Sequence, residues 1–397
     1  MAKYKFQELV IDSRTGLNPR KNFTLGRGNN HYITIKDIHD GKIEITNKTD
    51  RVDDDAIAII KKRSRIKNGD ILFTSIGRIG ETAIVTEKDD TWDVNESVFV
   101  FTLNTDIITQ EYFCELFQSN DVQEKLLKNS SGSTFKSIKM NQLEKMVFNI
   151  PRIDEQIRVT EVLGKIKELI SFSKQQLEKL DELAKARFVE LFGDPEHNEK
   201  KWDVFKLDAL CSVSSSKRIY QNELSVEGVP FLRISDLVNR MDTGSTECEL
   251  YIPEERYEEL KTLGLVPIAG DMLITARGTL GRCYTLTEND RFYFQDGMIT
   301  WLYDFDKSLT TNYLTHLFAM SGFRKQIDSL QAGSTVAYLS ISMTKKLNVM
   351  LPPLELQNQF TAFVEQTDKS KLTVQQSLDK LEVLKKSLMQ QYFGYNK

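Results

Sequence analysis

The chain has few of the residues from which catalytic and metal sites are usually built. Its 397 residues include only four cysteines and four histidines. Neither set shows the close spacing of a zinc site, a disulfide framework or two ligands on one helix face. The cysteines, which we predict to be buried thiols, are Cys114, Cys211, Cys248 and Cys283. The histidines are His31, His39, His197 and His316.

Several enzyme signatures are also missing. There is no Gly-x-Ser-x-Gly elbow, no P-loop lysine and no full dinucleotide fingerprint. A DNA methyltransferase binds the target amine with an Asn or Asp followed by Pro-Pro and an aromatic residue. Here Pro352-Pro353 follows Leu351 and so lacks the amine-binding residue. The run Asp53 to Asp55 has no partner group nearby in sequence, so we interpret it as a solvated loop and expect no metal site. These absences favour recognition over catalysis.

Long apolar runs are absent too. No stretch of 18 apolar residues could span a membrane, and the first six residues lack the apolar centre of a signal peptide. We therefore expect a cytoplasmic protein with no membrane association. The formal net charge of −4 argues against a generally basic nucleic-acid binder, so any DNA contact must use local basic surfaces.

What the chain does have is an internal repeat. With a constant offset of 201 residues, the segment starting at Gly69 matches the one starting at Gly270. The same offset carries Gly77 to Gly80 onto Gly278 to Gly281, and Gly132-Ser133-Thr134 onto Gly333-Ser334-Thr335. The chain therefore consists of two copies of one unit.

Each copy ends in a long predicted helix. The first runs from Pro151 towards Pro195 and the second from Pro353 to Gly394. A proline at the entrance and a glycine, Gly193 or Gly394, as a left-handed cap are typical of helix ends. About 37 residues at 1.5 Å each span about 55 Å, more than a small domain needs for its own core.

Apolar residues recur in these helices at alternating steps of three and four, which predicts a coiled-coil seam. In the first helix the seam comprises Leu163, Ile166, Ile170, Ser173, Leu177, Leu180, Ala184 and Leu191. In the second it comprises Val364, Val374, Leu378, Leu381, Leu388 and Tyr392. Thr367 and Lys371 stand where the first helix has Ile166 and Ile170, which predicts a weakened or shifted seam there.

The resulting organisation is a globular module at 1–150, a long helix at 151–194, a second module at 195–351 and a second long helix at 352–397. Strands at 5–11 and 31–38 and near 71–74, 97–103 and 297–303, with helices near 109–128 and 310–330, give both modules a mixed α and β character.

Basic residues concentrate in the loops of both modules. Five positive charges fall between Lys61 and Lys67, and glycine-bearing turns carry arginines in both copies. Such segments attract phosphates or reach base edges, but solvated loops explain the same pattern equally well. The candidate DNA-binding residues are Arg14, Arg20, Lys21, Arg63, Arg65, Arg78, Lys136, Lys139, Lys217, Arg218, Arg277, Arg282 and Tyr338.

The duplicated plan, the helix entrances I-P-R-I-D-E-Q-I and L-P-P-L-E-L-Q, and the ending L-F-G-D-P together resemble the specificity subunit of type I restriction-modification systems. The resemblance covers essentially the whole chain. It implies two mixed α/β target-recognition domains, each reading half of an interrupted DNA sequence. The two long helices would pair as an antiparallel coiled coil, giving the chain a pseudo-twofold internal repeat.

The resemblance also implies partners. Two modification subunits would dock on the helices and carry S-adenosylmethionine for methyl transfer to adenine, and restriction subunits would supply ATP- and Mg-dependent translocation and cleavage. This chain would bind double-stranded DNA and hold none of these cofactors itself.

Two other functions are compatible with the residues. One is a protein-interaction scaffold without catalysis, with two binding modules on a coiled coil. The other is a stand-alone methyltransferase or nuclease, which the missing motifs disfavour.

Overall fold

The structure, a computed structural model, describes residues 1–20, 22–132, 136–330 and 337–394. It divides into two compact units. Unit 1 contains Met1–Lys174 and Gln376–Lys397, and unit 2 contains Gln175–Gln375. Each long helix therefore contributes one part of its length to each unit.

The globular part of unit 1 is a set of small sheets with short helices. Its strands are β1 (Ala2–Lys5), β2 (Val10–Thr15), β3 (Asn30–Ile33), β4 (Ile38–His39), β5 (Lys42–Ile43), β6 (Asp50–Val52), β7 (Ile71–Thr74), β8 (Thr82–Ile84), β9 (Trp92–Val94), β10 (Val98–Leu103) and β11 (Val147–Ile150). Its helices are α1 (Phe6–Leu9), α2 (Asp54–Ser64), α3 (Gln110–Gln118), α4 (Asn120–Asn129) and α5 (Met140–Leu143), followed by the long α6 (Ile153–Phe192).

The central sheet of unit 1 has the antiparallel order β2-β10-β7-β8, and a three-stranded sheet has the order β6-β3-β9. Alternate residues of β7 and β10 face opposite sides, so both faces of the central sheet are buried. On one face Phe73, Phe99 and Phe101 meet the aromatic residues of α3, with Phe73 and Phe117 5.5 Å apart. The opposite face packs against the three-stranded sheet.

Unit 2 repeats this plan. Its strands are β12 (Asp203–Lys206), β13 (Ser212–Ser214), β14 (Val229–Leu232), β15 (Tyr251–Ile252), β16 (Met272–Thr275), β17 (Cys283–Thr285), β18 (Tyr293–Phe294), β19 (Ile299–Tyr303) and β20 (Asn348–Leu351). Its helices are α7 (Ile234–Thr243), α8 (Glu254–Thr262), α9 (Thr311–Ala319), α10 (Ser321–Ser329), α11 (Ile341–Lys345) and the long α12 (Leu354–Phe393).

The sheet orders of unit 2, β13-β19-β16-β17 and β15-β14-β18, match those of unit 1. The predicted fold class is confirmed: both units are mixed α/β, and each long helix has 40 residues. No helix in the described part of the chain combines the length and apolarity of a membrane span.

The two long helices run in opposite directions within each unit. In unit 1, Val159 and Leu163 of α6 share a core with Phe393, whereas Lys174 lies 3.5 Å from Glu382. In unit 2, the rings of Phe192 and Phe360 lie 5.4 Å apart, and Asp181 meets Lys371. The predicted seam positions of both helices are buried or half-buried.

The two polar positions of the second seam, Thr367 and Lys371, are buried or half-buried like its apolar positions. Thr367 is buried, and its hydroxyl donates to the Phe363 carbonyl at 3.0 Å. Lys371 is half-buried, and its Nζ lies 2.6 Å from Asp181 Oδ1 and 3.5 Å from Asp368 Oδ1. Both polar groups therefore have hydrogen-bond or ionic partners within the helix pair, and a paired polar residue at a seam position favours one register.

Other local predictions need correction. Phe6–Leu9 form a helical turn inside the predicted strand from Lys5 to Ile11. The run Asp53 to Asp55 begins α2, where the Asp53 carboxylate accepts from the Ala56 N–H at 2.9 Å. Gly193 is left-handed with φ 81°, but its counterpart Gly394 is not.

Two further details also differ. The predicted helices at 109–128 and 310–330 are each broken once, between α3 and α4 and between α9 and α10. Of the predicted buried thiols, Cys114 and Cys211 are buried, whereas Cys248 and Cys283 are only half-buried.

A buried glutamine joins each long helix to its module. Gln156 accepts from the Thr109 N–H at 2.9 Å and donates to the carbonyls of Ile107 and Pro151. Gln357, its repeat counterpart, makes the same bonds around Thr310. Both side chains are fully buried. Both glutamines belong to the helix entrances I-P-R-I-D-E-Q-I and L-P-P-L-E-L-Q, but the local sequence does not indicate this role.

Replacing either glutamine by leucine should destabilise its unit strongly. Gln156→Leu leaves the Thr109 N–H without its acceptor and removes a donor from the carbonyls of Ile107 and Pro151. Each buried polar group that loses its partner costs about 1–3 kcal/mol. We expect the free energy of unfolding to fall by about 3 kcal/mol or more in urea titrations, with Gln357→Leu behaving alike. Gln176→Leu on the exposed face of α6 is the control. Equal stability of Gln156→Leu and this control would contradict the assigned role.

Candidate nucleic-acid interface

The basic run of the first module lies at the C-terminal end of α2. Lys61, Lys62 and Arg63 occupy its last turn, where positive charge is favoured by the helix dipole. Arg65 caps the helix in a left-handed conformation with φ 47°. Arg63 and Arg65 are exposed. Arg63 Nε donates to Thr15 Oγ1 at 3.2 Å, so this surface adjoins β2.

Arg14 lies inside this region and not on its surface. The residue is 6% exposed, and its guanidinium lies 3.0 Å from Asp70 Oδ2 and 3.3 Å from Asp12 Oδ2. It also donates to the Arg65 carbonyl at 2.5 Å. A buried, paired arginine of this kind supports the sheet, because its charge is compensated by the buried Asp70 and by Asp12. We therefore remove Arg14 from the candidate DNA contacts.

The turn-rich segment that follows β2 is anchored to the module. The Tyr32 hydroxyl donates to the Leu17 carbonyl at 2.6 Å, and the rings of Phe23 and Tyr32 meet edge to face at 5.5 Å. Arg20 is exposed at the tip. Lys21 lies outside the described residues.

The glycine-bearing turn of the first module meets a segment distant in sequence. The Gly77 N–H donates to the Lys136 carbonyl at 3.2 Å, and Ile76 forms a β-bridge with Ser137. The fold thereby gathers Arg78, Lys136 and Lys139, all of them exposed. Ser133 and Thr134, and the second copy's turn at Gly333 to Thr335, lie outside the described residues.

Arg78 is partly committed to its own module. Its guanidinium lies 3.1 Å from Glu81 Oε1 and 2.6 Å from His39 Nδ1, and it donates to the Ile38 carbonyl at 3.2 Å. His39 was not among the candidate DNA-binding residues. It lies far from Arg78 in the chain, so no local sequence pattern indicates their contact. These contacts fix the direction of Arg78 while half of its side chain stays exposed.

In the second module the corresponding bridge joins Arg277 to Tyr338. The Arg277 guanidinium lies 4.9 Å from the centre of the Tyr338 ring, a cation–π contact. Arg277 is exposed and Tyr338 half-buried. The bridges place Ile76 opposite Arg277, in agreement with the 201-residue offset, so Arg78 and Arg277 occupy different positions of their turns.

The remaining candidates of the second module are exposed or half-buried and mostly ion-paired. Arg218 Nε lies 2.8 Å from Asp296 Oδ2. The guanidinium of Arg282 lies 2.5 Å from Asp242 Oδ1, and this bond lowers the pKa of the Asp242 carboxyl. Lys217 is exposed, and its backbone bonds to the Tyr293 hydroxyl. Arg282 closes the Arg277 turn, where its backbone N–H donates to Thr275 Oγ1 at 3.0 Å.

One cluster in the described residues has metal-ligand chemistry. Ligand atoms of Asp194, Glu196 and His197 lie within 4.8 Å of one another. These groups already have partners: Asp194 accepts from the Glu196 N–H, Asp194 meets His197 at 3.2 Å, and Glu196 pairs with Lys325 at 2.6 Å. The cluster closes the loop after α6.

Comparison with known proteins agrees with this architecture. A family model described as "Type I restriction modification DNA specificity domain" matches residues 3–182 and 199–383. The MjaIX specificity subunit of Methanocaldococcus jannaschii is 26% identical over 318 residues, which are 75% of this chain and 70% of that protein. A putative specificity subunit of Haemophilus influenzae, S.HindORF215P, is 28% identical over 196 residues, and the alignment spans about half of each chain, 47%.

Two solved structures share the fold. The S subunit of a type I restriction-modification system from M. genitalium superposes with a TM-score of 0.58 at 14% identity, covering 100% of this chain and 96% of that one. A chain from a study of complex assembly and conformational transition of the type I system gives 0.61 at 16% identity, covering 99% and 97%. Because the family model matches both copies of the repeat, this chain belongs to the DNA specificity subunits of type I restriction-modification systems.

Proposed function

We propose that each unit of this chain reads one half of a bipartite DNA target, with an unread spacer between the halves. The observation that carries this proposal is the duplicated module, which keeps one backbone frame in both units while the exposed side chains on it differ. Two copies of one scaffold with different surfaces suit two different half-sites. The alternative function, a protein-interaction scaffold, requires no nucleic-acid surface.

The proposed contact residues are all members of the candidate set except the buried Arg14. In the first module they are Arg20, Lys21, Arg63, Arg65, Arg78, Lys136 and Lys139. In the second they are Lys217, Arg218, Arg277, Arg282 and Tyr338. Exposed lysines suit phosphate contacts, which position the protein, whereas arginines held in a fixed direction suit base edges.

We further propose that two modification subunits dock on the paired long helices in the cytoplasm. Methyl transfer and DNA cleavage would belong to partner subunits, which would carry S-adenosylmethionine, ATP and Mg. The exposed apolar residues of α6, among them Leu169 and Phe172, support a protein contact on this helix.

One experiment tests the proposed function. Adenine methylation is mapped in the genome of a host that expresses this chain with its modification partner. We expect one interrupted motif that disappears when either protein is omitted. Retained partner binding without any DNA-dependent methylation would favour the scaffold function.

Lys136→Ala should weaken DNA binding evenly across sequences. Lys136 is exposed and lies where the Gly77 turn meets its own segment. Loss of one phosphate contact reduces the slope of log K against log salt concentration by about one. The measurement is a salt titration of the complex on specific and non-specific duplexes. The matched control is Lys128→Ala, an exposed lysine of α4 that pairs with Glu124. Identical slopes for Lys136→Ala and the control would remove this turn from the interface.

A further inference from the structure

The two modules present different side chains at one equivalent point of the same backbone frame. In unit 1 the Ile138 N–H donates to the Ser75 carbonyl at 2.8 Å, and in unit 2 the Leu339 N–H donates to the Ala276 carbonyl at 2.9 Å. The next bridge joins Ile76 to Ser137 in unit 1 and Arg277 to Tyr338 in unit 2. The backbone hydrogen bonds are the same in both repeats, whereas the side chains at the bridge differ.

Arg277 differs from the paired arginines around it. Its guanidinium carbon lies over the Tyr338 ring, 4.9 Å from the ring centre, and among the described residues no ion pair joins it to a carboxylate. Four other candidates commit part of their N–H groups to carboxylates: Arg65 to Asp12, Arg78 to Glu81, Arg218 to Asp296 and Arg282 to Asp242.

A cation–π contact restrains the guanidinium over the ring and, unlike an ion pair, leaves its N–H donors available for a ligand. An arginine oriented in this way can donate two parallel hydrogen bonds to guanine O6 and N7, the commonest specific contact in the major groove. Ile76, at the equivalent point of unit 1, has no donor and can offer only apolar contact.

We propose that the bridge at residues 277 and 338 is a specificity-determining element, in which Arg277 reads a guanine of the second half-site and Tyr338 positions it. The equivalent bridge at 76 and 137 reads no guanine in the first half-site. This inference rests on the proposed DNA recognition, and it adds the class of base and the residue that reads it.

The test uses the full chain with its modification partner and the methylated motif of the wild type. Arg277→Lys keeps the charge but loses the planar pair of donors. We expect it to relax one guanine position of the second half-site, with a roughly ten- to hundred-fold loss of discrimination between bases. The first half-site should stay unchanged.

Tyr338 is tested as a positioning residue. Tyr338→Phe keeps the ring and should keep the guanine preference, whereas Tyr338→Leu should weaken it at the same position as Arg277→Lys. The matched control is Arg291→Lys, since Arg291 also stacks on a tyrosine, Tyr257 at 4.8 Å, but is bonded to Glu254. The control should not alter the motif.

The reverse experiment introduces the pair into unit 1. The double variant Ile76→Arg, Ser137→Tyr should gain a guanine preference at one position of the first half-site. An unchanged motif in Arg277→Lys, or an even loss of binding that preserves base preference, would overturn the inference. If the wild type itself showed no interrupted motif, the proposed function would fail. That result differs from the two Arg277→Lys outcomes, which overturn only the role of the bridge.

Discussion

Exchanging residues 1–150 for the corresponding module of a relative should replace one half of the methylated sequence and leave the other half intact. The physical reason is that the first module has its own central sheet and aromatic core within unit 1. Its surface can therefore change without altering unit 2. The measurement is methylome sequencing with the exchanged chain and the original modification partner.

The exchange must preserve the joint between module and helix. The donor module therefore needs a residue other than proline at 109, whose backbone N–H can donate to Gln156, and an aromatic ring at 112 to receive Phe393. The reciprocal control exchanges residues 199–351 and should alter the opposite half. Simultaneous change of both halves in either chimaera would contradict independent reading.

Truncation after residue 194 should convert the chain into a stable symmetric dimer. The cut removes Phe393, whose ring lies 5.1 Å from Tyr112, together with Leu388, Met389 and Tyr392, which pack against the same core. Unit 1 would then expose an apolar surface where α12 had been. An exposed face of this kind is buried most simply by a second copy.

The truncated chain ends with a segment shaped for that surface. In unit 2, Phe192 packs 4.8 Å from Tyr313, and these residues are the repeat counterparts of Phe393 and Tyr112. In a twofold dimer, each Phe192 can occupy the place that Phe393 leaves on the other copy. Light scattering should give twice the monomer mass for residues 1–194.

Two variants of the truncated chain sharpen this test. Phe192→Asp places a charge in the proposed interface and should shift the dimer strongly towards monomer, because burial of an unpaired charge is costly. Val189→Asp alters an exposed residue in the same turns of α6 and should leave the dimer intact. A monomer in the unaltered truncated chain, or equal effects of both variants, would contradict the dimer.

The main features of the fold were predictable from the sequence because they depend on periodicity. The 201-residue repeat, readable from Gly69 to Gly270, predicts two similar units, and alternating steps of three and four predict the seams of α6 and α12. Periodicity failed at Phe6–Leu9, where apolar residues in a short segment suit a strand or a helical turn equally well.

The candidate interface was only partly predictable, because exposure is a tertiary property. Arg14 and Arg20 belong to one basic stretch, yet Arg14 pairs with Asp70 in the sheet interior and Arg20 is exposed. The 201-residue offset pairs Ile76 with Arg277, and the bridges of the two units agree with it. The contact of the Arg277 guanidinium with the Tyr338 ring, in contrast, has no signal in the sequence.

The amino-acid sequence by itself determined the duplication, the long helices and the family, since each is written in spacing along the chain. Tertiary structure alone decided which charges are free for a ligand and which are used internally. The pairing of Lys371 with Asp181, the tether at Gln156 and the stack of Arg277 on Tyr338 each join residues that are distant in the chain. Long-range contacts of this kind depend on how the elements pack, and local sequence patterns carry no record of them.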